Sequence, residues 1–144
     1  MTATLERPTT TLHASSNIDV SMNSQYKGNC MYFQFKGTFD KSASESATKI
    51  WKDEFEKNPF KQYKHIWDCT QMKDFHFDAK KAWTDTLAKY EPRIDVIYVV
   101  SESIVIRGAA RLMTKLSKYD LKIFKSISEM YHYDQATEDY TNLF

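Results

Sequence analysis

Ser101, Ser103 and Arg107 are the side chains best spaced for binding chemistry in this chain. Two hydroxyls stand at the start of a helical pattern, directly after an apolar run, and the arginine follows within one turn. A helix start presents free N–H groups and a partial positive charge, so this trio is the candidate small-anion site. The plainer reading, a capped helix with solvated arginines at 107 and 111, carries more weight.

Catalytic and metal chemistry find no such footing. His13, His65, His76 and His132 show no H-x-x-x-H or H-E-x-x-H spacing, and His76 and Asp78 fall on different faces of a helix start, which suits no common metal site. No G-x-S-x-G elbow exists to activate a serine. Cys30 and Cys69 lack basic or Gly-rich neighbours and read as reduced, structural thiols. Gly28, Gly37 and Gly108 are too scattered for a phosphate loop, and Asp53-Glu54 reads as a hydrated helix face. The expectation is therefore no catalytic residue, no metal and no cofactor.

The elements that position these residues follow from periodicity. A chain of 144 residues with 42% hydrophobic and 27% charged residues suits one globular domain. Nine Phe, nine Tyr and three Trp make the expected core rich in rings. A net charge of +1 draws neither nucleic acid nor an anionic surface, and no apolar window is long enough for a membrane span. With no secretory leader, the protein is expected in the cytoplasm. A basic stretch (Arg107, Arg111, Lys115, Lys118, Lys122, Lys125) precedes an acidic one from 127 to 144, and the two are expected to pair.

Residues 1–16 are small and polar and read as a flexible tail; residues 17–144 read as one domain. Ile18, Val20 and Met22 alternate with polar residues as a first, edge strand. Met31, Phe33 and Phe35 alternate as its hairpin partner. Asp40 or Ser42 caps a helix through Ala43, Ala47, Ile50, Trp51 and Phe55. His65–Asp68 is a short strand, followed by a connection over 71–76 and a helix capped by Asp78 with Trp83, Leu87 and Tyr90 inward. Ile94–Val100 is β-branched and apolar throughout, like a strand buried on both faces. Val105, Ala109, Leu112, Met113, Leu116 and Tyr119 predict a helix that turns those residues inward. Gly108-Ala109-Ala110 suits close packing on the sheet or the approach of a second protomer. Leu121–Phe124 is a last strand, and Ser126 or Ser128 opens a terminal helix. The order β-β-α-β-α-β-α-β-α predicts an α/β domain with one mixed sheet, an N-terminal hairpin followed by parallel strands. Phe33, Phe35, Ile97, Val99, Leu112 and Leu116 are the expected core.

This order resembles the STAS family of sulfate transporters and anti-sigma-factor antagonists, including the small SpoIIAA-like bacterial proteins. The resemblance covers about residues 17–130. It rests on His65-Ile66-Trp67-Asp68-Cys69-Thr70, on Ile94–Val100, on the segment from Ser103 to Arg111, and on Lys122-Ile123-Phe124 with the capped final helix. It implies a non-enzymatic regulatory module that docks on a protein partner or responds to a small ligand, with Thr70, Asp78 and Arg111 as docking residues. Typical antagonists carry a phosphorylatable hydroxyl before the helix that follows the central strand. Here that stretch reads Asp74-Phe75-His76-Phe77-Asp78-Ala79-Lys80, with no hydroxyl, so the resemblance extends to the module and not to its phosphorylation switch. A homodimer is compatible with the reading. The alternative is a carrier of a lipid or other apolar ligand, with an enzyme third. A closed core argues for docking, and an apolar cavity of several hundred Å³ argues for a carrier.

Overall fold

The computed structural model of the chain describes residues 9–114 and 120–141, and the side chains of 9–111 and 120–136. Strands β1 (Thr9–Ala14), β2 (Ile18–Asn23) and β3 (Cys30–Phe39) precede helix α1 (Lys41–Lys57). Then come β4 (Tyr63–Phe75), α2 (Lys80–Tyr90), β5 (Ile94–Val100), α3 (Ile104–Thr114), β6 (Leu121–Phe124) and α4 (Ile127–Thr141). The strands lie side by side in chain order. β1, β2 and β3 pair antiparallel, whereas β3, β4, β5 and β6 pair parallel. The mixed sheet with a leading antiparallel part is the one expected.

Parallel neighbours in sequential order, joined by right-handed crossovers, put their connecting helices on one face. The first core cluster accordingly joins Ala47, Trp51 and Phe55 of α1, Trp83 and Leu87 of α2 and Ala110 of α3 to the sheet residues Phe33, Phe35, Trp67, Ile97 and Val99. A second cluster on the other face joins Met130 of α4 to Tyr26, Cys30, Ile66 and Tyr98. Phe33, Phe35, Ile97 and Val99 are buried as expected. The side chains of Leu112, Met113, Leu116 and Tyr119 lie outside the described residues.

Local chemistry explains the helix ends. Asp40 Oδ1 accepts the Ala43 N–H at 2.9 Å, and Ala43, Ala47, Trp51 and Phe55 then bury one stripe of α1. Ser126 Oγ accepts the Glu129 N–H at 3.1 Å to open α4. Arg93 closes α1 from outside. Its guanidinium donates to the carbonyls of Phe55, Asn58 and Lys61 and lies 4.7 Å over the Phe55 ring.

Four expectations change. The stretch read as a tail contains β1: Thr9–Ala14 is β-prone and finds its ladder on the free edge of β2, where Leu12 packs against the core. The β2 strand is therefore interior, and residues 1–8 lie outside the described residues. The strand read as His65–Asp68 runs from Tyr63 to Phe75. Its polar far half pairs with β3 across two irregularities, with Gly37 facing Met72 and Phe39 facing Phe75. Gly37 makes this possible, since its φ of 59° is costly for a residue with a side chain. Asp78 does not cap α2: it sits in a 3-10 turn, Phe77–Ala79, and neither that turn nor α2 has a side-chain cap. Finally, Ile106 and Ala110 of α3 pack on the core, while Val105 is 70% exposed.

One core residue carries a measurable liability. His65 is completely buried among Trp51, Phe33 and Phe55, with ring centroids 4.6, 5.1 and 5.9 Å away, and neither ring nitrogen has a hydrogen-bond partner. Burial lowers its pKa from 6.5 to about 3. The folded state thus keeps His65 neutral while the unfolded chain takes up a proton below pH 6.5. Stability is fully present above that pH and falls as pH drops from 6.5 toward 3, by up to about 1.4 kcal/mol per pH unit. Urea melts between pH 7 and 4.5 should show this slope, and His65→Phe should flatten it. An unchanged slope in the variant would assign the acid sensitivity to other groups.

Candidate functional site

The far half of β4, the 3-10 turn and the start of α3 together enclose an apolar cleft of about 600 Å³. Phe35, Phe39, Trp67 and Trp83 form part of its lining from the sheet and α2, and Gly108 and Ala109 line it from α3. The small residues leave room where a larger helix face would fill it. Of the sequence Gly108-Ala109-Ala110, Ala110 is 4% exposed and packs into the core, so the close-packing reading holds for that residue. The rim is apolar as well: Phe77 and Ile104 are 84% and 79% exposed. Among the described residues no Asp or Glu lines the cleft, and Lys80 and His76 are its basic side chains. Lys80 Nζ stands 5.6 Å from the centroid of the Phe77 ring. Burial raises the Cys69 thiol, also in the lining, well above its usual range and keeps it neutral. The indole N–H of Trp67 is buried without an acceptor.

The predicted anion trio lies at the β5–α3 junction, next to the first turn of α3 that lines the cleft. Ser101 is 2% exposed, and its Oγ accepts the Ser103 N–H at 3.0 Å; Ser103 Oγ accepts the Ile106 N–H at 3.2 Å. The two hydroxyls thus satisfy N–H groups that an incoming anion would use. Arg107 Nε donates to the Ser103 carbonyl at 3.4 Å. The three residues are brought together, in a geometry that serves capping.

The predicted docking residues occupy three different elements. Thr70 is exposed at an irregularity of β4, and its hydroxyl and N–H both donate to Asp68 Oδ1, at 2.6 and 3.0 Å. Asp68 is 3% exposed and also accepts the Tyr32 hydroxyl at 2.6 Å. Burial and that carboxylate hold the Tyr32 phenol far above its usual range. Asp78 is exposed beside a second, charged groove between α1 and α2 that Lys41, Lys49, Lys52 and Lys81 also line. Arg111 is exposed on α3.

Sequence reading missed Asp134. It is 1% exposed on α4 and accepts from Lys64 Nζ, from the Lys27 N–H at 3.0 Å and from the Tyr98 hydroxyl at 3.2 Å. The acidic helix therefore anchors to β4 and β5 through Asp134, and the side chains of Lys115, Lys118, Glu138 and Asp139, on which the expected pairing with the basic stretch rests, lie outside the described residues. A signal was present, since Asp134 lies one helical turn after Met130, on the face that α4 buries. Among the described residues, no group of three His, Cys, Asp or Glu is placed to hold a metal, and no helix is long and apolar enough to cross a membrane.

No family model and no curated protein matches the sequence. Solved structures do match in shape. An uncharacterized DUF3478-family protein with a SpoIIAA-like fold from Shewanella loihica superposes with a TM-score of 0.62 at 10% identity, covering 93% of this chain and 98% of the other. The anti-sigma factor antagonist SpoIIAA in its unphosphorylated form gives 0.54 at 8% identity, covering 85% and 93%. The murine solute carrier 26 family member A9 anion transporter gives 0.54 at 15% identity; the match covers 91% of this chain and 22% of the transporter.

Proposed function

We propose that this chain, which has the SpoIIAA-like fold of STAS domains, is a non-enzymatic regulatory or protein-interaction module that works without a phosphorylation switch in the cytoplasm. The likeness to an anti-sigma factor antagonist over 85% of the chain carries the reading. Docking is assigned to Thr70, Asp78 and Arg111, and Ser101, Ser103 and Arg107 form the anion-responsive part of the proposal. Self-association is the homotypic form of the same docking.

Residue chemistry supports the missing switch. A switch needs a hydroxyl free to gain nearly two negative charges. The Thr70 hydroxyl is spent on the buried Asp68 carboxylate at 2.6 Å, so a phosphate there meets a like charge. In the 3-10 turn before α2 the exposed Asp78 offers a carboxylate in place of a hydroxyl, with no capping bond to account for it.

Affinity capture from the source cells with wild type, Asp78→Lys and Arg111→Glu tests both halves, with mass spectrometry of the bait. The expected result is a protein partner held by the wild type and lost by the variants at unchanged melting temperature, with no regulated phosphate between 70 and 85. Equal capture by all three baits removes the docking assignment. Stoichiometric, condition-dependent phosphate on Thr70 or Thr84 restores the switch and overturns the reading.

A further inference from the structure

We propose that the cleft between α2, α3 and the far half of β4 binds a single-chain aliphatic carboxylate, with the chain inside the cleft and the carboxylate at the rim beside Lys80. The inference stands on the cleft and does not depend on the regulatory reading.

Size comes first. About 600 Å³ lies well inside the range of roughly 300–1,000 Å³ typical of small-molecule sites. Interiors are otherwise packed to crystal-like density, so a space of this size beside a ring-filled core is a built feature. The aromatic cluster that adjoins it is close-set, with Trp83 within 5.5 Å of Phe33, Phe35, Phe39 and Trp67 by ring centroids. Those rings hold one another in place, and α3 spans the gap with Gly108 and Ala109 in place of bulky groups.

Lining chemistry selects the ligand class. Rings, aliphatic side chains and small residues dominate the wall, so a ligand with many polar atoms in its body would leave them unpaired. An aliphatic chain has none to leave. At the mouth, Phe77, Ile104 and Val105 are exposed by 84%, 79% and 70%, an apolar rim contiguous with an apolar interior. Exposed apolar surface joined to a groove marks a ligand or interaction site.

Charge complementarity selects the head group. Among the described residues, Lys80 and His76 are the basic side chains of the lining, both are exposed, and no acidic side chain lines the cleft. No carboxylate among the described residues forms an ion pair with Lys80, whereas Lys81 next to it pairs with Asp85 at 2.9 Å. The Lys80 ammonium instead leans over the Phe77 ring at the mouth. An anionic head on an apolar chain satisfies rim and interior together; a neutral chain leaves the rim cation unused, and a free anion leaves the cleft empty.

The test uses the full-length protein and a saturated fatty acid series from roughly 8 to 16 carbons, each kept below micelle formation, since every buried methylene adds a constant increment of affinity. Calorimetry gives the Kd, and tryptophan fluorescence reports on Trp67 and Trp83. Saturable binding of one ligand per chain is expected, with Kd falling up to about fourfold per added methylene until the cleft is full. Lys80→Glu should weaken the acids roughly tenfold and leave the alcohol of equal length unchanged. Because Lys80 is exposed, this variant should fold normally, and Ala109→Trp, which fills the cleft, should abolish both ligands.

Three results overturn the proposal. One is no saturable binding at any chain length. Another is equal binding of acid and alcohol that Lys80→Glu leaves untouched. The third is binding of phosphatidylglycerol vesicles without binding of any free chain, which assigns the rim to a membrane surface. Loss of a protein partner in the Asp78 and Arg111 variants is read separately, so failure of either proposal leaves the other standing.

Discussion

Asp134→Ala should lower stability by about 3–5 kcal/mol, the cost of leaving a buried charge without its partner. The carboxylate is 1% exposed and collects three donors from distant parts of the chain: Lys64 of β4, Tyr98 of β5 and the backbone of Lys27 before β3. Removing it strands the Lys64 ammonium, whose side chain is 12% exposed, against the Tyr98 ring 5.3 Å away. For a chain of this size that loss corresponds to a fall in melting temperature of roughly 10–20 °C. The double variant Lys64→Met with Asp134→Leu should recover part of it, because replacing a buried pair by apolar groups is often neutral or stabilising, while the Tyr98 hydroxyl and the Lys27 N–H still lose their acceptor. Recovery separates the stranded charge from loss of packing. If Asp134→Ala costs less than about 1 kcal/mol, α4 is not anchored through this residue.

Phe33→Ala should cost a similar amount, about 3–5 kcal/mol, for a different reason. Phe33 is fully buried at the centre of the larger cluster, with the rings of Trp83, His65 and Trp51 centred 5.2, 5.1 and 5.6 Å away. Truncation removes the ring and leaves a cavity that neighbours braced by α1 and α2 cannot close. The control is Phe77→Ala, a substitution of the same type at 84% exposure, which should stay within about 0.5 kcal/mol of the wild type. Denaturant melts of the pair measure the contrast. Equal losses would mean that the inward face of β3 has been assigned to the wrong side.

The two variants probe opposite sides of one sheet, and their legibility in the sequence differs. The β3 face was readable because a period of two in Met31, Phe33 and Phe35 already states which side meets the larger core. The stripe of Ala43, Ala47, Trp51 and Phe55 and the unbroken apolar run of β5 were readable for the same reason: burial acts on each element's own pattern, so alternation or helical spacing suffices. Helix capping was readable where the capping residue is local, as with Asp40 and Ser126, and misread at Asp78, where a 3-10 turn intervenes.

Element order from β2 onward, the mixed sheet and most of the core were thus determined by the sequence itself, through local periodicity and the chemistry of chain ends. Tertiary structure decided the rest. Thr9–Ala14 and the polar half of β4 have no inward pattern of their own; they are strands because β2 and β3 offer them unpaired backbone groups. The cleft likewise has no linear signature, since its walls come from β3, β4, α2 and α3 and its emptiness is a property of how far apart the folded backbone holds them. Asp134 shows the same division in charge: its acidity is plain in the sequence, but only the packing of α4 across the sheet brings it to Lys64 and Tyr98, because a buried carboxylate takes the donors that the fold brings within reach.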